Sequence, residues 1–231
     1  MEANDYGKEF IFMVVNVYFV RHGQTYLNEF NKMQGWSDAP LTDKGLADAD
    51  HAGDVLKAVS FDYAFSSDLK RAVDTAKHIL ARNPSDHTEP ITDPAFREVF
   101  FGYFEGDHSS LTATTVAGMT SVKSWEDLIA MVGIEKSRDL TKAADPFSRA
   151  ENDEEFWHRL TPGLDRLRNL PDGSNVLVVA HGMTIRSLIS RFTDTKAYLD
   201  APKNGSITKL TLSPSTTTVD YYNHLTLGGN Q

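Results

Sequence analysis

Cysteine is absent from the 231 residues. That absence excludes disulfides, thiol catalysis and cysteine-ligated zinc. Excess positive charge is missing as well: 23 Lys and Arg stand against 32 Asp and Glu, a net charge of −9. Such a chain has no general attraction to nucleic acid or to an anionic membrane, so any anion it binds must be met by local cations. Long apolar runs are lacking. The most apolar stretch, residues 10–20 (FIFMVVNVYFV), is too short to cross a bilayer. Upstream of it lie Glu2, Asp5, Lys8 and Glu9, and Arg21 and His22 follow, which does not suit a secretory leader. A buried strand is the expectation, preceded by an extension over residues 1–13 that the fold does not need. Metal-binding histidine patterns are missing too: there is no His pair at i, i+4, no His-x-His and no HExxH. No metal and no cofactor are expected.

What is present suits one domain over residues 14–231, with 40% hydrophobic residues for its core. Val14–Val20 reads as a central strand ending at Arg21-His22-Gly23. Thr42 is placed to cap a helix carrying Leu46, Ala49, Gly53 and Leu56. Phe61–Phe65 reads as a strand. Leu69, Ala72, Val73, Ala76, Ile79 and Leu80 then form the cleanest amphipathic stripe in the chain. A third strand is expected over Ile91–Arg97. Residues 106–151 break the alternation and read as an insertion over one end of the sheet, with one legible helix at Trp125–Val132 capped by Ser124. Asn152–Leu170 is helical, with Pro162 predicting a kink or two helices. Asn175–Ala180 is a buried strand that again ends in His-Gly, at His181. A helix follows, then a terminal β-pair over Ser206–Leu212 and Thr216–Tyr222. This order predicts an α/β domain with a largely parallel sheet. Sites in such sheets form at the carboxyl ends of strands, so His22 and His181 are expected to face one crevice.

The stretch VYFVRHGQTYLN (17–28) resembles the signature of the histidine phosphatase superfamily, which includes the phosphoglycerate mutases. Further blocks follow in the family's order: QGWSDAPLTDKG (34–45), SSDLKRAVDTA (66–76), FREVFFGYFEG (96–106), VLVVAHG (176–182) and NGSITKL (204–210). The resemblance implies a three-layer α/β/α sandwich with a mostly parallel central sheet and a helical insertion over the active-site end. It implies His22 as nucleophile, Glu98 as general acid and base, and His181 as second catalytic histidine. Arg21, Arg71 and Asn28 become the phosphate-binding residues.

Those residue types suit the chemistry. Phosphoryl transfer spreads charge over non-bridging oxygens, which arginine forks bind. A neutral imidazole can attack phosphorus, and a carbonyl on its other nitrogen would fix the tautomer. A protonated His181 would add a donor.

The mutases of this family carry an Arg directly after the acid, a Tyr two residues later and a Lys eleven residues after the acid. Val99, Phe101 and Ser109 stand at the corresponding places. With those groups gone and Phe100, Phe101, Tyr103 and Phe104 present, the resemblance favours the broad-specificity phosphatase branch. The expectation is metal-independent phosphomonoester hydrolysis of a small phosphorylated metabolite. The mutase is the alternative, and a non-catalytic phospho-ligand module is the alternative from another class. No nucleic-acid or membrane partner is expected, a cytoplasmic location is, and the oligomeric state is open. Lys123, Lys136, Arg138, Lys142 and Arg149 in the insertion are read as solvated surface charges.

Overall fold

The structure is a computed structural model that describes residues 13–227. Apart from Met13, the expected N-terminal extension lies outside the described residues. In chain order the elements are β1 (Val15–Arg21), α1 (Tyr26–Glu29), α2 (Asp43–Leu56), β2 (Tyr63–Ser66), α3 (Lys70–Leu80), β3 (Ile91–Thr92), α4 (Ser109–Ala117), α5 (Trp125–Val132), α6 (Ile134–Ala144), α7 (Asp153–Arg168), β4 (Asn175–Ala180), α8 (Gly182–Phe192), β5 (Ile207–Leu212) and β6 (Thr217–His224).

The six strands form one mixed sheet in the order β3-β2-β4-β1-β5-β6. The first four are parallel; β5 and β6 run antiparallel along one edge. Period-two side-chain alternation splits the strand residues between two cores. Val15, Val17 and Phe19 join Val176, Val178 and Ala180 in a cluster with apolar residues of α4 to α8. Val20, Leu177 and Val179 face the other way, onto Ala52, Leu56, Ala72, Ala76 and Ile79 of α2 and α3. Each large apolar side chain so buried contributes about 1.5–3 kcal/mol. The expected three-layer α/β/α fold is present.

Strand register positions the site. In the β1–β4 pair, Arg21 lies opposite Ala180. The next residues, His22 and His181, therefore leave the sheet side by side at its carboxyl edge.

Two expectations need correction and a third is narrowed. The strand foreseen over Ile91–Arg97 stops at Thr92, because Asp93 caps a 3₁₀ turn over Pro94–Phe96 by accepting from the Ala95 amide at 2.9 Å. The insertion holds three helices rather than one. In α4 the Thr-rich sequence buries Thr112 and Ala113 with Val116, which leaves no apolar stripe to read. Helix α6 is largely polar and buries Ser137, Arg138 and Thr141 beside Ile134. Finally, of the kink or two helices foreseen at Pro162, the two helices are ruled out, because α7 runs as one helix through it. Phe156, Leu160, Leu164 and Leu167 bury one continuous face and outweigh the lost backbone bond. Gly163 sits where a Cβ would come within 2.7 Å of Ala95 Cβ, so its lack of a side chain lets α7 close on the 3₁₀ turn.

Candidate active site

His22 is the first residue after β1. Its Nδ1 lies 2.8 Å from the Gly23 carbonyl, and Arg71 Nε lies 3.3 Å from its Nε2. A carbonyl only accepts and an arginine only donates. Both neighbours therefore demand one tautomer, with the proton on Nδ1 and the lone pair on Nε2. The loop is fixed by the Gly23 amide, which donates to Thr75 Oγ1 at 3.0 Å. It is fixed again by close packing on α2: a Cβ on Gly45 would meet the Gln24 carbonyl at 2.0 Å.

Arg71, in the first turn of α3, is almost fully buried. Its Nη2 donates to the Gly35 carbonyl at 2.7 Å, and its Nη1 to the Ser37 carbonyl at 2.9 Å and to Asp38 at 3.1 Å. Those carbonyls use its outer nitrogens, so the expected fork presents Nε toward His22. The carbonyls belong to a loop that Glu105 holds. Its carboxylate accepts from the amides of Gly35, Trp36, Ser37 and Phe101 at 3.0–3.1 Å, and from the Ser37 hydroxyl at 2.5 Å.

His181 is fully buried, with its ring centroid 5.1 Å from that of His22. Its Nε2 lies 2.6 Å from Ser67 Oγ, and its Nδ1 has no partner. Burial first, then the positive field of Arg71, drives both imidazoles well below the ordinary value of 6.5. The surrounding thus favours a neutral His181, and the condition under which sequence gave it a donor role, a protonated ring, is not met. Neutral, it still offers one N–H.

Glu98 is buried and bonded to the N-terminus of α8. Its oxygens accept from the Met183 amide at 2.9 Å, and from the amides of Thr184 and Val99 at 3.0 Å. Asn28 closes a capping box with Thr25 on α1 and also accepts weakly from Asn204 at 3.4 Å. Arg21 Nη1 donates to the Pro202 carbonyl at 2.5 Å, while its Nε is buried without a partner.

A cavity of about 230 Å³ opens above these groups. Arg21, His22, Asn28 and Glu98 line it; Arg71 and His181 adjoin His22 without being part of the lining. Buried polar atoms almost always find partners. Arg21, Gln34 and Trp125, all residues of the cavity wall, each carry a buried nitrogen (Nε, Nε2 and Nε1) without a partner among the described residues. Three unpaired donors on residues of one cavity suit an anion with several oxygens. Helices α4 and α5 contribute Ser109, Trp125 and Glu126 to the wall, so the insertion does reach the site.

Sequence reasoning missed Ser67, Glu105, Lys32 and Arg186. Arg186 gave a signal: it lies one helical turn past Gly182, on the same face of α8. None of the five insertion cations lines the cavity. Arg138 is not a solvated charge, being buried against Asp153 and Ser187.

Residues 17–225 match the family model described as histidine phosphatase superfamily (branch 1). The chain is 34% identical over 172 residues to a 2,3-bisphosphoglycerate-dependent phosphoglycerate mutase 2 of Gloeobacter violaceus, covering 74% of this chain and 72% of that protein. It is 37% identical over 173 residues to a 2,3-bisphosphoglycerate-dependent phosphoglycerate mutase of Rhizobium etli, covering 73% and 76%. The crystal structure of a phosphoglycerate mutase from Bacillus anthracis superposes with a TM-score of 0.84 at 33% identity, covering 93% of this chain and 95% of that one.

These relatives overturn the phosphatase-branch expectation. That expectation counted cations only at the family's sequence positions. The fold brings Lys32 and Arg186 into the cavity from elsewhere, while Val99 is simply buried in the core.

Proposed function

Since the chain belongs to branch 1 of the histidine phosphatase superfamily, we propose that it is a phosphoglycerate mutase that interconverts 3- and 2-phosphoglycerate through a phosphorylated His22. The observation that carries this reading is the 34–37% identity, over about three quarters of both chains, to relatives bearing that name. The cavity supports it. Arg21, Lys32 and Arg186 surround it with positive charge, and Met33, Phe101, Trp125 and Met183 give it apolar walls against water. The unpaired donors fit a phosphoryl donor such as 2,3-bisphosphoglycerate, which would supply the group that primes His22.

The lone pair on His22 Nε2 attacks phosphorus, forming the N–P bond as the P–O bond to the leaving oxygen breaks. Glu98, at the cavity wall, gives that oxygen its proton. In the return step the substrate hydroxyl attacks the same phosphorus, the N–P bond breaks, and Glu98 takes the hydroxyl proton. Arg71 Nε, which meets the Nε2 lone pair in the free enzyme, turns to a phosphoryl oxygen once that lone pair is used. Arg21 and His181 Nδ1 stabilise the remaining charge. Asn28, fixed by its cap on α1, faces the same group.

The test is an enolase-coupled assay with and without 2,3-bisphosphoglycerate, run beside phosphate release. Bisphosphate-dependent interconversion should exceed phosphate release, and His22→Ala should abolish it with the fold retained. Phosphate release that outpaces interconversion would overturn the mutase reading.

A further inference from the structure

Arg186 is buried to within 2% of its surface, yet lines the cavity beside His22 and Glu98. Its Nε donates to the Tyr198 carbonyl at 2.7 Å and its Nη2 to the Leu199 carbonyl at 2.9 Å. Those two bonds lock the guanidinium plane. The third nitrogen, Nη1, is left over: its neighbours are the Met183 sulfur at 4.0 Å and a Glu126 oxygen at 3.9 Å. Neither is a strong acceptor at hydrogen-bonding distance. A buried cation whose one ion pair is this long, and made to an exposed carboxylate, is poorly compensated and leaves room for a closer anion. On the same cavity wall, Trp125 is about nine-tenths buried and its indole Nε1–H is also unpaired. Trp125 adjoins Glu126, the residue that approaches Nη1, so the start of α5 lies next to Arg186.

We propose that Arg186 Nη1, helped by Trp125 Nε1, binds the carboxylate of a small phosphorylated carboxylic acid whose phosphoryl group meets His22. The inference rests on the phosphoryl-transfer reading of the His22 site and adds the residues that hold the far end of the substrate. A singly charged carboxylate suits one free guanidinium nitrogen and one indole N–H. Glu126 repels a singly charged carboxylate at this place less than it would a phosphate dianion.

Calorimetric binding of 2-phosphoglycolate and of inorganic phosphate separates this role from a structural one. Phosphate reports on the His22 end alone; phosphoglycolate adds a carboxylate. Arg186→Met should weaken phosphoglycolate about tenfold to a hundredfold, as loss of a charged hydrogen bond does, and leave phosphate within about twofold. Arg186→Lys should restore part of the loss. Trp125→Phe should weaken phosphoglycolate severalfold, again sparing phosphate. Glu126→Gln removes a charge from an exposed side chain at the cavity wall, and should tighten phosphoglycolate while leaving phosphate unchanged. Parallel losses for both ligands in Arg186→Met, or no response of phosphoglycolate to Glu126→Gln, overturns the assignment. Binding needs no turnover. Failure of the enolase assay with Arg186-dependent phosphoglycolate binding intact would remove the mutase reading and leave this subsite standing.

Discussion

Ser67 illustrates how much one hydroxyl can settle. It follows β2, is fully buried, and lies 2.6 Å from His181 Nε2. Without it, the ring has no hydrogen-bonding partner on either nitrogen among the described residues, because Nδ1 has none there. The hydroxyl thus fixes which way the imidazole faces and leaves Nδ1 open to the proposed phosphoryl group. Ser67→Ala should lower kcat about tenfold, the worth of one ordinary hydrogen bond. It should leave the melting temperature within a few degrees, and Ser67→Thr should recover part of the rate. A wild-type pH–rate profile and kcat in Ser67→Ala would show that the bond positions nothing. Sequence placed Ser67 in a family-like block but gave it no role, since a serine between a strand and a helix usually only turns the chain.

At the scale of elements, the site depends on loops held by distant carboxylates. Glu105 gathers the amides of Gly35, Trp36 and Ser37, and the carbonyls of that loop hold Arg71. Glu105→Ala should strand several of those donors and cost about 3 kcal/mol of stability. It should also lower turnover more than a remote variant of equal cost, because Arg71 loses its bearings on His22. Urea melts and steady-state rates on the same protein check both parts; a stable variant with full activity would refute the link. The strands and long amphipathic helices were legible because β1, β4 and α3 bury whole periodic faces. Helices α4 and α6 were not, because their buried positions are largely threonine, serine and arginine, which carry no apolar period.

For the whole molecule, two neutral imidazoles in the interior tie stability to pH. An unfolded chain protonates His22 and His181 below 6.5, whereas burial and the nearby arginines keep the folded rings neutral there. The unfolded state then binds more protons, so stability falls as pH drops below 6.5; above it both states are neutral and the rings add no slope. Between pH 6.5 and 5.5 the loss should be about 1 kcal/mol per ring. Denaturant unfolding at both pH values should show a smaller loss in the His22→Gln, His181→Gln double variant. Equal losses would show that the rings already bind protons in the fold. The acid limb of kcat/KM should likewise lie below 6.5, since the free enzyme keeps the His22 lone pair.

The sequence alone determined that two apolar strands end in His-Gly, that Arg71 opens an amphipathic helix, and that the family blocks run in order. Those features are local: a strand, a helix stripe and a turn each show within a dozen residues. It also fixed His22 as the candidate nucleophile, through its place directly after Arg21 at a strand end. Only the tertiary structure decided that Arg21 and Ala180 pair across the sheet, which sets His22 beside His181. Only it decided that Arg186 and Lys32 share the cavity of Glu98 while Lys123, Lys136, Lys142 and Arg149 do not. The reason is physical. The charge presented to a ligand depends on which side chains converge in space, and residues as far apart as Lys32 and Arg186 converge only when the sheet order and the helix packing are set.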